Sequence, residues 1–295
     1  MTIVIMKTRK KRVNTDMFYN LQPGTLVSWG YNEYGQTDIP QTTNIKQVAV
    51  GSQHTIALKE DGTVIGWGWD DYGQSSAPPL TNIKQVAAGF YHSLALKEDG
   101  TVVGWGRDNM GQITVPPTLT NVRQISAGSY YSLALKEDGT VVGWGWDYFG
   151  QATVPPDLTN VYQIAAGYGH SLALKDDRKT IVGWGDDSEG QITIPALTNI
   201  RQIAAGFAHS LALKEDGTVV GWGRNDLGQV NVPTLTGIKQ VTAGAHHSMA
   251  LKEDGTVVGW GYNDDGEINI PPEATNIIYL ALGSYAYHSF AIKAL

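Results

Sequence analysis

The chain has 295 residues, a formal net charge of −7 and no cysteine, which excludes disulfides and thiolate metal sites and leaves the redox compartment open. With 35 Gly, 12 Pro, 9 Trp and 14 Tyr it is too aromatic for a disordered segment and reads as a turn-rich, well-packed globule. No run of about 18 apolar residues occurs, so no membrane-spanning helix is expected.

In chain order, the first segment is residues 1–22, which places a short apolar patch ahead of the basic cluster Lys7–Arg12. That is the reverse order of a secretory signal, so a flexible basic tail and a cytoplasmic rather than secreted protein are expected. Without the +4 of this tail the body carries about −11, a charge that repels phosphate backbones and disfavours nucleic-acid partners. Over residues 23–295 a Trp-Gly pair then recurs at Trp29, Trp67, Trp105, Trp144, Trp184, Trp222 and Trp260, every 38 to 40 residues. Each unit reads as four extended runs, illustrated by Gln85–Gly89, His92–Lys97, Thr101–Gly106 and Ile113–Pro116, with Asp99-Gly100 as a hairpin turn between the second and third. The chain ends on His288–Leu295, a second run lacking its third, and the repeat region begins on Pro23–Gly30, a third run lacking its second. The expectation is an all-β, seven-bladed β-propeller of four-stranded antiparallel blades, closed by pairing of the N- and C-terminal strands in one blade. One domain and a monomer are expected.

The stretch AAGFYHSLALKEDGTVVGWGRDNMGQ (Ala87–Gln112) and its copies resemble the regulator of chromosome condensation repeat family. The founders usually follow Gly-Gln with a Gly-rich turn, whereas this chain has ITVPP, ATVPP and ITIP, a variant more similar to a bacterial branch that includes propeller-type β-lactamase inhibitory proteins. The resemblance implies a non-enzymatic protein-binding propeller, with β-lactamase inhibition as its sharpest version. Exchange-factor activity on a small GTPase, the founders' function, depends on a protruding insertion for which the uniform repeat lengths leave no room.

Antiparallel order puts the loops after the first and third runs on one face and the KEDGT and PPxLTN turns on the other. The second face repeats LKEDGT and reads as scaffold, whereas the first varies from copy to copy. Its aromatic and acidic residues are the candidate protein-binding set: Tyr31, Tyr34, Trp69, Asp70, Tyr72, Phe90, Tyr91, Tyr130, Tyr131, Trp146, Asp147, Tyr148, Phe149, Tyr168, Asp186, Phe207, His246, Tyr262, Tyr285 and Tyr287. Aromatic side chains on rigid loops give large contact area at low entropic cost, and acids among them suit a partner presenting basic residues.

Other readings of these residues are structural. His54, His92, His170, His209, His247 and His288, with Tyr131 in the remaining copy, recur at one position and read as caps on backbone groups, not as ligands of a metal. The Trp-Gly tryptophans read as packing between blades. No catalytic constellation and no cofactor motif is recognised. A glycan or small-ligand site on Trp69 or Trp146, a lyase in a central channel, and a consensus-designed scaffold stay open as alternatives.

Overall fold

A computed structural model describes residues 23–295; the expected basic tail over residues 1–22 lies outside the described residues. Strand β1 (Gly24–Gly30) opens the described chain. Six triplets follow: β2–β4 (Ile45–Val50, His54–Lys59, Val64–Gly68), β5–β7 (Ile83–Ala88, His92–Lys97, Val102–Gly106), β8–β10 (Val122–Ala127, Tyr131–Lys136, Val141–Gly145), β11–β13 (Val161–Ala166, His170–Lys175, Ile181–Gly185), β14–β16 (Ile200–Ala205, His209–Lys214, Val219–Gly223) and β17–β19 (Ile238–Ala243, His247–Lys252, Val257–Gly261). Strands β20 (Ile277–Ala281) and β21 (His288–Ala294) end it.

These strands form six antiparallel sheets, five of three strands and one of six in the order β20-β21-β1-β2-β3-β4. The expected seven four-stranded blades are therefore corrected in both numbers. The terminal strands do pair, with β1 matched to β21 from Gly24↔Ala294 to Gly30↔His288. That unit does not stand apart as a seventh sheet, because β1 also joins β2 at Gly24↔Ile45.

The fourth run fails as a strand because its N–H groups are spent locally. In the unit after β7, Ile113 N donates to the Asp108 carboxylate, Thr114 N to Gly111 O, and Val115 N to Ile113 O. Pro116 has no N–H, so nothing remains to extend a ladder. The segment instead folds over the sheet, where Gly104 lets the Ile113 side chain approach.

The Asp-Gly turns form as the sequence indicates. Gly100 takes φ +83°, and Asp99 accepts from the Thr101 amide at 2.9 Å. On the same side Glu98 N donates to Asn82 O at 2.8 Å, tying the two scaffold turns together.

Two polar belts join neighbouring units. On the inner strands Gln163 Nε2 donates to Ile203 O and Gln163 Oε1 accepts from Ile203 N, so the amide imitates a peptide group; Gln47, Gln85, Gln124, Gln202 and Gln240 do the same with the next unit. On the middle strands each buried histidine meets a hydroxyl of the next unit, such as His54 with Ser93 at 2.9 Å and His209 with Ser248 at 3.0 Å. Between the belts lie apolar clusters in which residues from adjacent units interdigitate, for example Leu94, Leu96, Ile125 and Trp144.

Candidate functional site

The variable face is built from two loops per unit that the backbone ties together. Trp69 N donates to Gln53 O, Arg107 N to Tyr91 O, Trp146 N to Tyr130 O, and Tyr262 N to His246 O, all at 2.8–3.0 Å. The loop after each Trp-Gly is closed a second time by the Asp or Asn at its second position. Asp147 accepts from Ala152 N at 2.7 Å and Thr153 N at 3.0 Å, Asp70 accepts from Ser75 N and Ser76 N, and Asn225 accepts from Val230 N. A third closure is the buried Gln of Gly-Gln, whose Oε1 accepts from the amide two residues earlier, as Gln151 does from Phe149. The aromatic side chains thus stand on loops held by several hydrogen bonds each, which lowers the entropy lost on contact.

The sequence scattered these aromatics over the whole chain, and the fold makes them one network. Around the ring Tyr34 contacts Trp69 at 6.0 Å between centroids, Trp69 contacts Tyr91 at 4.7 Å, Phe90 contacts Tyr130 at 5.2 Å, and Tyr130 contacts Trp146 at 6.0 Å. The run continues from Trp146 to Tyr168, Phe207 and His246 and ends on Tyr287 and Tyr262, while Tyr285 links Tyr287 back to Phe90. Tyr31 joins through Tyr34. Tyr148 is the most projecting member at 79% exposed, with Tyr34, Tyr72 and Phe149 also exposed.

Tyr285, one of the candidate residues, takes a central place that the sequence does not specify. It touches Phe90 at 4.3 Å, Phe207 at 5.4 Å and Tyr168 at 5.6 Å, rings from three separate loops, and so lies at the axis beside a central channel of about 170 Å³ lined by the inner strands. The signal was the extra length of the loop Ser284–Tyr287.

Several candidate residues have other duties. Tyr131 is fully buried, and its hydroxyl donates to His170 O at 2.6 Å while accepting from Ser171 Oγ, so it belongs to the middle-strand belt and not to the face. It occupies a histidine position and does the histidine's work. The carboxylates of Asp70 and Asp147 are occupied by their own loops, and Asp186 accepts from the Ser188 amide at 3.0 Å. The acids exposed on this face include Asp71, Glu189, Asp264 and Asp265.

The histidines are explained by burial. Desolvation holds His92, His209, His247 and His288 down at about 3 and His54 and His170 at about 4, against an ordinary 6.5, so all six are neutral at pH 7. Each side chain reaches the next unit's hydroxyl, so none is directed at a shared centre. The glycine ending each inner strand makes room for them: a Cβ at Gly89 would run into the His92 imidazole and the Gly128 carbonyl. On the face itself, burial pushes the Tyr130 and Tyr287 hydroxyls up to about 12, which keeps them protonated.

A search of the curated proteins finds no match. Among solved structures, the chain is similar to Prp20p from Saccharomyces cerevisiae, described together with its binding properties to Gsp1p and histones, at 24% identity and a TM-score of 0.81 over 95% of this chain and 93% of that one. A second similar structure is that of Kap60 bound to yeast RCC1 (Prp20), at 23% identity and a TM-score of 0.77 over 100% and 97%. A third is human WBSCR16, at 20% identity and a TM-score of 0.76 over 92% and 100%. At such identities the likeness shows the fold alone. The family described as Regulator of chromosome condensation (RCC1) repeat matches residues 45–74, 83–112, 122–151, 161–191, 200–229 and 238–267, six repeats where the Trp-Gly count suggested seven. With more than half of its length matched in this way, the chain belongs to the regulator of chromosome condensation repeat family.

Proposed function

We infer that the chain is a non-enzymatic binding module that takes hold of a partner protein on its variable loop face. The observation that carries this reading is the continuous network of aromatic rings on hydrogen-bonded loops, with Tyr148, Phe149, Tyr72 and Tyr34 exposed within it. Such rings anchor protein interfaces, where a few of them carry most of the binding energy. The exposed acids Asp71, Glu189, Asp264 and Asp265 favour a partner that brings basic residues to the rim. Prp20p, with its binding to Gsp1p and histones, is a precedent for protein partners on this fold.

The tryptophans favour a protein over a glycan. Trp69 is contacted by Tyr34, Tyr72 and Tyr91, and Trp146 by Tyr130, Tyr148, Phe149 and Tyr168, so both rings belong to the aromatic network and do not stand alone as a stacking platform for a sugar.

The test compares immobilised wild type with a Tyr148→Ala/Phe149→Ala double variant and with Lys136→Ala on the opposite face. A protein retained by wild type and by Lys136→Ala but lost by the double variant is then purified and titrated. Retention indifferent to the double variant refutes the reading. Titration of class A β-lactamases tests its narrower form, inhibition, and undiminished hydrolysis at excess binding module removes that form alone.

A further inference from the structure

The loop face carries two arginines, and they differ in what satisfies them. Arg224 is paired within its own loop, its Nε donating to Asp226 Oδ1 at 2.8 Å. The Arg107 guanidinium makes no hydrogen bond or ion pair among the described residues, although the backbone N–H of Arg107 donates to Tyr91 O. The guanidinium lies 4.7 Å from the centroid of Tyr72, 5.6 Å from Tyr91 and 6.0 Å from Tyr130. The nearest acid in sequence, Asp108, is committed to Ile113 N at 3.0 Å and Thr114 Oγ1 at 2.8 Å. Trp69 and Trp146 occupy the same place after Trp-Gly in the two flanking units, so Arg107 stands between two tryptophans in the most aromatic sector of the face.

A half-buried guanidinium walled by aromatic rings has given up part of its water without gaining an acceptor. Its planar fork of N–H donors matches a carboxylate in two-point contact, and the low polarity of the walls strengthens that contact. We propose that Arg107 receives a carboxylate from the partner, a Glu or Asp side chain flanked by large apolar residues that pack on Trp69, Tyr91, Tyr130 and Trp146. This rests on the reading of the loop face as the binding surface and adds a specificity to it: basic groups on the partner meet the acidic rim, and one acid meets the aromatic centre. The rings alone would accept any apolar segment, whereas the unpaired arginine selects among them.

The probe is a synthetic peptide array in which one position, set between Phe, Leu or Trp residues, carries Glu, Gln, Lys or Ala. Wild type is expected to bind Glu peptides about 10-fold or more above their Gln counterparts. Arg107→Gln removes that preference, Arg107→Lys keeps part of it because a point charge lacks the fork and the stacking, and Arg107→Glu turns it toward Lys peptides. The last two variants separate recognition from loop integrity, since mere loosening of the loop would not reverse a charge preference. Tyr148→Ala/Phe149→Ala weakens Glu and Gln peptides alike. Equal binding of Glu and Gln peptides by wild type, with sensitivity to the aromatic variant intact, overturns the role of Arg107 and leaves the binding face standing. Loss of both dependences overturns the two together.

Discussion

Acid should unfold this protein through its buried histidines. Six of them have folded-state pKa values of about 3 to 4, against 6.5 for the ordinary side chain. Because the folded values are depressed, the unfolded chain binds more protons between pH 6.5 and about 3 to 4, so stability is fully present above 6.5 and declines as pH falls through that window. At about pH 5.5 an unfolded histidine is roughly nine-tenths protonated while the folded one is neutral, a difference of about 1 kcal/mol each and on the order of 5 to 10 kcal/mol for the set. That is comparable with the whole stability of a typical domain, so the midpoint of acid unfolding is expected near pH 5 to 5.5, roughly a unit above where carboxylates protonate. Urea unfolding from about pH 7.5 to about pH 5 measures the slope, and calorimetry in buffers of different ionisation enthalpy counts the protons taken up. His209→Tyr, which copies the arrangement at Tyr131, should lower the uptake by one proton and recover about 1 kcal/mol at pH 5.5. A stability that stays level across this range, or an uptake below about two protons, would refute the reasoning.

Other consequences are as direct. Asp147→Asn should keep both fold and partner binding, because Asn32, Asn225 and Asn263 fill the same place in other loops, whereas Asp147→Ala should cost about 1 kcal/mol and loosen Trp146 and Tyr148; lost binding in Asp147→Asn at unchanged melting temperature would return Asp147 to the contact set. Gln163→Ala strands the amide and carbonyl of Ile203 inside the molecule and should destabilise by about 2 to 3 kcal/mol in denaturant titration, while Lys136→Ala on the exposed scaffold face should change little. Glu267 occupies, fully buried, the place that Gln holds in six other loops, and its Oε1 has no partner among the described residues. Burial raises its pKa, so whatever stability its protonated form contributes is lost as pH rises, and Glu267→Gln should add about 1 kcal/mol at neutral pH and little in acid. Tyr148→Ala, at a side chain 79% exposed, should leave the melting temperature within error while weakening the partner.

Local chemistry is legible in the amino-acid order. The alternation of apolar residues in HSLALK and the Asp-Gly turn specify a hairpin wherever they occur, and the ends of the chain specify their own pairing, because period-two burial and turn geometry act over a few residues. The same order also separates the constant turns from the variable loops. The number of strands per sheet was decided only in three dimensions, since ITVP has the composition of a strand but its amides are claimed by Asp108, Gly111 and Ile113 before a neighbour can use them. The same holds for the site. Nothing in the spelling of WDDY or WDYF distinguishes an acid that caps its own loop from one that faces a partner, and nothing in HSLALK beside YSLALK says that Tyr131 is buried against the next unit. Those assignments depend on contacts between residues about 40 positions apart, such as Tyr131 with Ser171 and Gln163 with Ile203, which exist only once the units are stacked. Tyr285 reaches the axis for the same reason: its loop is one residue pattern among seven until the ring gathers Phe90, Tyr168 and Phe207 around it.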